Sequence, residues 1–195
     1  MVSLMQEIKN TRSNFIKEVE LVLNWFRFIG AEDLGDLERL GVVIEASVSS
    51  FESIYGHKDR ILEFTQSKTS LLLTYREARS LFISLFTALD NAFNYSDHSC
   101  PVRLSHVSSD NQDLIIIENQ PASPFESPQE FAESQRQKWT KENSNLNIDE
   151  GGSGLYKIYS LLTTASAGFE YDISVKSDQF TTIIGLSHES FSNRG

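Results

Sequence analysis

From Ser80 to Ser96 the chain reads SLFISLFTALDNAFNYS, an almost wholly apolar segment carrying one line of polar residues. Leu81, Phe82, Leu85, Phe86, Leu89, Ala92 and Phe93 cover most of the circumference of a helix predicted over about 75–95. Ser80, Ser84, Thr87, Asn91 and Asn94 recur at intervals of four, three, four and three, which strings them along that helix as a single stripe. An unsatisfied buried polar group costs about 1–3 kcal/mol, so the stripe meets polar neighbours in the core, a solvent edge, or a cavity that holds something polar. Thr87 has a purely local solution as well, donation to the carbonyl four residues back.

Outward from this helix, the periodicities predict an α+β chain. On the N-terminal side, Leu4, Ile8, Phe15, Val19, Val22, Leu23 and Phe26 mark a helix over 3–29, with Gly30 as its C-cap. A second helix is expected over 34–55, with Leu37, Leu40, Val43, Ile44, Val48, Phe51 and Tyr55 on one face and Gly56 at its end. Ile61–Thr65 reads as a short strand. On the C-terminal side, 102–107 and 114–118 read as strands around the turn 109–112. Residues 120–151 are polar, with Phe125, Phe131 and Trp139 as their large apolar groups. They fit a long loop holding one weak amphipathic helix near 127–141. A glycine turn at 151–154 opens a helix over 155–164. Strands near 168–176 and 179–187 close the chain, and Glu189 to Gly195 look frayed. This order predicts a two-layer α/β sandwich: one mixed sheet with helices on one face, preceded by an N-terminal helix. The division expected is a helical arm at 1–33, for dimerisation or partner docking, and one domain at 34–190.

Composition excludes several function classes. The chain has 195 residues, 39% of them hydrophobic, so it can bury a full core. With 17 Lys and Arg against 27 Asp and Glu, the formal charge is −10, which repels nucleic acid and anionic lipid. The only cysteine is Cys100, so neither an internal disulfide nor a multi-cysteine zinc site exists. No apolar run approaches the ~18 residues of a membrane span, and the N-terminal residues lack a secretion-signal pattern. A cytoplasmic setting is expected.

Two further features carry chemistry. Gly151-Gly152-Ser153-Gly154-Leu155 opens a helix, where free N–H groups and the positive end of the dipole favour an anion such as phosphate. No Gly-Lys-Ser/Thr follows, so this is not a Walker loop. The strand Ile115-Ile116-Ile117 runs out through Glu118, Asn119, Gln120 and Pro121. Alternation puts Asn119 on the face of Ile115 and Ile117, and Glu118 on the other. Asn119 there either meets a ligand or caps a turn.

These three features, in this order, resemble the ATP-binding domain shared by gyrases, ninety-kDa heat-shock chaperones, histidine kinases and mismatch-repair ATPases (the GHKL or Bergerat fold). LFTALDNAFNYS, residues 85–96, is similar to that family's N-box. LIIIENQPA, residues 114–122, looks like a degenerate first glycine box, and GSGLYKI, residues 152–158, like the second. Thr181-Thr182 fits the entry to the family's last strand, and the resemblance covers about 36–190. It implies ATP and Mg2+ as ligands, with Asn91 on the metal and Asn94 near the phosphates. Tyr95 would flank the adenine, and Asn119 would face its amino group, with Glu118 as the other register. Gly152, Ser153, Gly154 and Leu155 would lie along the phosphates, Thr182 would close the site, and 120–151 would be an ATP lid.

The departures from the family pattern bear on activity. Where hydrolysing members carry a water-activating Glu, this chain has Thr87, which is no general base near neutral pH. The glycines of the first box are replaced by Asn119-Gln120-Pro121-Ala122-Ser123. Residues 1–34 hold no histidine, which excludes self-phosphorylation on that helix. His57, His98, His106 and His188 read as surface or structural residues. The resemblance therefore implies an ATP/Mg2+-binding signalling module with slow or absent hydrolysis, acting on a partner protein or a second copy through its N-terminal helix. Two alternatives are an adaptor that kept the fold and lost the nucleotide, and an anti-sigma-type serine/threonine kinase.

Overall fold

The structure, a computed structural model, describes residues 37–55, 61–140 and 153–192. The predicted N-terminal arm, the turn at Gly56 and Gly151–Gly152 lie outside them.

The polar-striped helix is α2 (Tyr75–Tyr95), the spine of the domain. It starts at a capping box. The Thr74 hydroxyl accepts from Glu77 N, and the Glu77 carboxylate accepts from Thr74 N at 2.9 Å. Leu81, Phe82, Leu85 and Leu89 are buried to 1% exposure or less. Each fully buried side chain of this size stabilises the fold by roughly 1.5–3 kcal/mol. On one flank lies α1 (Leu40–Tyr55), which contributes Val43, Ile44, Val48 and Phe51 to the same core. On the other lies α4 (Ser153–Ala165), with Ile158 and Leu162.

Beneath them runs a five-stranded sheet in the order β2-β4-β5-β7-β6: β2 (Leu62–Gln66), β4 (Val102–Ser108), β5 (Gln112–Asn119), β6 (Phe169–Val175) and β7 (Phe180–Ser187). β2 and β4 are parallel and every other pair is antiparallel, so the sheet is mixed, as expected. Parallel neighbours require a crossover, and α2 lies in the connection from β2 to β4, which sets it across the sheet. Strand alternation sorts the two faces. Leu104, Ile115, Ile117, Tyr171, Ile173 and Ile184 point under the helices, whereas Glu63, Arg103, Glu170 and Asp172 point outward and are exposed.

Two expectations are corrected. The helix predicted over 34–55 begins only at Leu40. Residues 37–39 form instead a strand, β1 (Leu37–Arg39), antiparallel to β3 (Leu72–Thr74), with Leu37 opposite Thr74. Leu37 is consequently half exposed rather than on the helix's buried face. Strand β3 has no counterpart among the expected elements; just before it, Leu71 O accepts from Leu40 N at 2.9 Å. Of the tail expected to fray, the described part forms a short helix, α5 (His188–Ser192). There Phe191 packs edge-on against Phe169, with ring centres 5.4 Å apart. Gly168 makes room for that ring, since a Cβ there would stand 2.6 Å from Phe191.

The weak helix expected near 127–141 is α3 (Pro128–Thr140). It is not a solvated element, because Ala132, Gln135 and Trp139 are buried. Trp139 stacks on Tyr159 at 5.5 Å and tilts against Tyr171 at 5.0 Å. Arg136 fixes the helix to the edge of the sheet through Asp172 and the Ile173 carbonyl.

Candidate functional site

From Ser84 onward the polar stripe of α2 becomes steadily more exposed. Ser84 is completely buried, Thr87 and Asn91 are half-buried, and Asn94 is exposed. The Thr87 hydroxyl donates to the Ile83 carbonyl at 2.8 Å, the local solution its position allows. Asp90 accepts from the Tyr55 hydroxyl, a bond that ties α2 to α1 one residue before Asn91. Burial, then the Asp90 hydrogen bond and its charge, push the Tyr55 phenol up to about 12.

Two other segments meet the C-terminal third of α2. The first is the start of α4. Gly154 sits so close to Asn91 that a Cβ there would lie 2.6 Å from Nδ2 and 3.1 Å from Oδ1. The glycine therefore serves close approach. The first described turn of α4, Ser153 to Leu155, thus begins beside the Asn91 amide. The far end of α4 is capped by Arg76, whose Nη2 donates to Thr164 O at 2.7 Å.

The second segment is the exit of β5. Ser96, the C-cap of α2, forms an antiparallel bridge with Pro121. Ala122 N donates to Tyr95 O at 3.0 Å, and Asp97 N to Gln120 O at 2.8 Å. Asn119, just before this clasp, is 6% exposed and shares the helix-side face with Ile115 and Ile117. Its carboxamide has no hydrogen-bond partner among the described residues. Glu118 takes the opposite face, where Gln179 Nε2 donates to it at 2.6 Å. Of the two registers, Asn119 is thus the one directed to the helix layer.

Thr182 is buried on the same face, diagonal to Asn119 through the pairs Ile117–Thr182 and Asn119–Phe180. Tyr95 is 68% exposed, which removes any core role for its ring. Gly152 lies outside the described residues. The structure therefore gathers Asn91, Ser153, Gly154 and Leu155 in one place. It holds Asn94, Tyr95 and Asn119 at the end of α2 and the exit of β5.

Sequence reasoning missed how firmly the following segment is pinned. Phe125 packs on Phe131 at 5.0 Å and on Phe180 at 6.2 Å, and Phe125 N donates to Ser177 O. The signal was available: three widely spaced aromatics in a polar run. It also missed Asp113, at the other end of β5. Asp113 is fully buried and accepts from His106 Nε2 at 2.8 Å, His188 Nε2 at 2.7 Å and Thr69 Oγ1 at 3.0 Å. Burial alone raises its carboxyl. The hydrogen bonds from His188, Ser108, His106 and Thr69 outweigh that and hold it below the usual aspartate range. A charged residue alternating with Ile115 and Ile117 was the clue.

A mixed five-stranded sheet with its helices on one face, spanned by a crossover helix that meets a glycine helix start, is the fold of histidine-kinase catalytic domains. The catalytic domain of histidine kinase ThkA, solved in a nucleotide-free form, superposes with a TM-score of 0.60 at 12% identity, covering 78% of this chain and 94% of that one. The histidine kinase AdeS of Acinetobacter baumannii gives 0.54 at 16% identity over 95% of this chain and 82% of its own. The histidine kinase domain of the blue-light-activated EL346 kinase of Erythrobacter litoralis gives 0.55 at 13% identity over 99% and 87%. No protein-family model matches the chain, and no curated protein matches it in sequence. No helix among the described residues is long and apolar enough to cross a membrane.

Proposed function

We propose that this chain is an ATP/Mg2+-binding module of the histidine-kinase type that regulates a partner protein in the cytoplasm, with slow or absent hydrolysis. The observation that carries the reading is the convergence on α2. Asn91, the N-terminus of α4 and the exit of β5 come from three separate parts of the sequence and meet at one end of one helix. Phosphates would lie on the Ser153, Gly154 and Leu155 amides, where a helix start favours anions, with Gly152 just ahead of them. Asn91 Oδ1 would be the protein's ligand to Mg2+. One amide oxygen suffices, because Mg2+ keeps several waters and takes the rest of its shell from phosphates. Asn94 would stand near the phosphates, Tyr95 and Asn119 by the base, and Thr182 beneath it. Slow hydrolysis follows from Thr87, whose hydroxyl is committed to Ile83 O and has no basicity to offer. The arm at 1–33 would join the partner, or a second copy to give a homodimer, and 34–190 would be the nucleotide domain.

Titration of the whole chain with ATP, with and without Mg2+, tests this by calorimetry. Millimolar affinity or better is expected, strengthened by Mg2+, and Asn91→Ala should weaken it at least tenfold while leaving the melting temperature nearly unchanged. Absence of heat and of any thermal shift at millimolar MgATP would falsify the reading. That result would favour the second one, an adaptor without nucleotide. Its supporting observation is the tight packing of the Asn91 amide on Gly154, together with Asn119-Gln120-Pro121 where glycines would open the site.

A further inference from the structure

The five-stranded sheet ends in β2 on one side and β6 on the other, and the two edges are finished differently. At β6 the outer edge is occupied: Arg136 of α3 donates from Nη2 to Ile173 O at 2.6 Å and pairs with Asp172. At β2 the bonds to β4 use the odd-numbered residues, with Val102 N donating to Ile61 O and Ser67 N to His106 O, both at 3.0 Å. The N–H and C=O groups of Leu62, Phe64 and Gln66 therefore point away from β4, and no described strand receives them. An open edge is a template for another strand, and its usual guards are lysine, proline and unpaired charge. Strand β2 reads LEFTQ, with neither lysine nor proline. Its single charge, Glu63, is held by Arg103 Nε at 2.7 Å.

We infer that β2 is an association surface for a second copy of this chain, joined antiparallel about a two-fold axis at Phe64 so that two five-stranded sheets become one. The strand is complementary to itself in that register. Phe64 faces the partner's Phe64, Leu62 faces the partner's Gln66, and Glu63 faces the partner's Thr65, so no like charges stand opposite. Shifting the pairing by two residues in either direction leaves only three residues paired, and one of the two shifts sets Glu63 against the partner's Glu63. The other edge decides that the assembly closes. With β6 guarded, copies meet β2 to β2 and stop there, which gives an isologous pair and no open filament. A ladder of five residues falls far below the roughly 1,200–2,000 Å² of a stable interface, so the pairing is weak by itself and shows at high protein concentration. Two copies already joined by the arm at 1–33 would make it as an intramolecular step.

The test is residue-resolved amide hydrogen exchange on the full chain at high concentration. Thr65 lies on the exposed outer face, and Thr65→Glu sets a carboxylate against the partner's Glu63 without touching the core. The amides of Phe64 and Gln66, which bond across the axis, should exchange at least tenfold more slowly in wild type than in Thr65→Glu. The amides of Glu63 and Thr65, which bond to β4, should exchange alike in both. Thr65→Lys should slow Phe64 and Gln66 at least threefold further by pairing with the partner's Glu63. Ser174→Lys, the same change of charge at an exposed position of β6, should leave them at the wild-type rate. Equal rates at Phe64 and Gln66 in wild type and Thr65→Glu overturn the inference, as do equal effects of Thr65→Lys and Ser174→Lys. If Thr65→Glu does not fold, the two lysine variants decide alone. No nucleotide is present in this experiment, so its outcome stands apart from the nucleotide reading.

Discussion

Strand β5 carries a polar residue at each end of its buried face, and the two ends are built in opposite ways. At the start, Asp113 is completely buried and receives hydrogen bonds from His106, His188 and Thr69. At the exit, Asn119 is nearly as buried and receives none from the described residues. Burial is the same, and so are the strand and the face. Partners separate them: Asp113 is bonded to three side chains, whereas the Asn119 carboxamide bonds to none of the described residues. The comparison shows why burial alone is a poor guide to function, since a polar residue with all its partners in place has no capacity left to bind.

The comparison breaks most readily by substitution at both ends. Asp113→Ala strands the donors of two histidines and should cost about 3–5 kcal/mol of stability in chemical denaturation. Asn119→Ala removes a carboxamide that bonds to none of the described residues and should change stability by less than about 1 kcal/mol. Equal losses at the two ends would abolish the distinction. The Asp113 contribution has a defined pH window. Its folded pKa is depressed, so the stabilisation is whole above the ordinary aspartate pKa and disappears as pH falls through the depressed value.

A smaller effect sharpens the binding side. Gly154→Ala puts a methyl group 2.6 Å from Asn91 Nδ2, so the amide must swing away. MgATP affinity should fall several-fold, with stability changed by about 1 kcal/mol or less, because only a half-buried side chain has to move. Unchanged affinity would separate Asn91 from the phosphate end of the site. The smallest expected effect lies in alkali. The Tyr55 phenol titrates at about 12 in the folded chain against an ordinary 10.0. Its contribution is therefore intact below pH 10 and is lost as pH rises toward 12. Tyr55→Phe should flatten that part of the stability profile and leave nucleotide binding at neutral pH intact.

Much of this architecture was legible from local periodicity. Apolar spacing marked α2, and alternation placed Asn119 on the helix-side face and Glu118 opposite before any coordinates. Thr87 could be assigned to Ile83 O from helix geometry alone. What stayed hidden depends on distant pairing. Strand β1 is only three residues long, and its identity comes from β3, which lies beyond α1 and β2 in sequence. Helix α5 exists because Phe191 finds Phe169 and the bare Cα of Gly168. The anchoring of 125–140 similarly waits on Phe180, Tyr159 and Tyr171.

Residue order was enough to define the sandwich, the acidic surface, the missing carboxylate at 87 and the set of amides and glycines from which a site could be assembled. Those properties are periodic or compositional, and neighbours along the chain suffice to express them. Only the folded chain could show that Asn91 lies against Gly154, that Asp113 is bonded to His106, His188 and Thr69, and that the Asn119 carboxamide meets none of the described residues. Hydrogen-bond satisfaction is a relation between residues that the backbone brings together from far apart, and no local pattern encodes it.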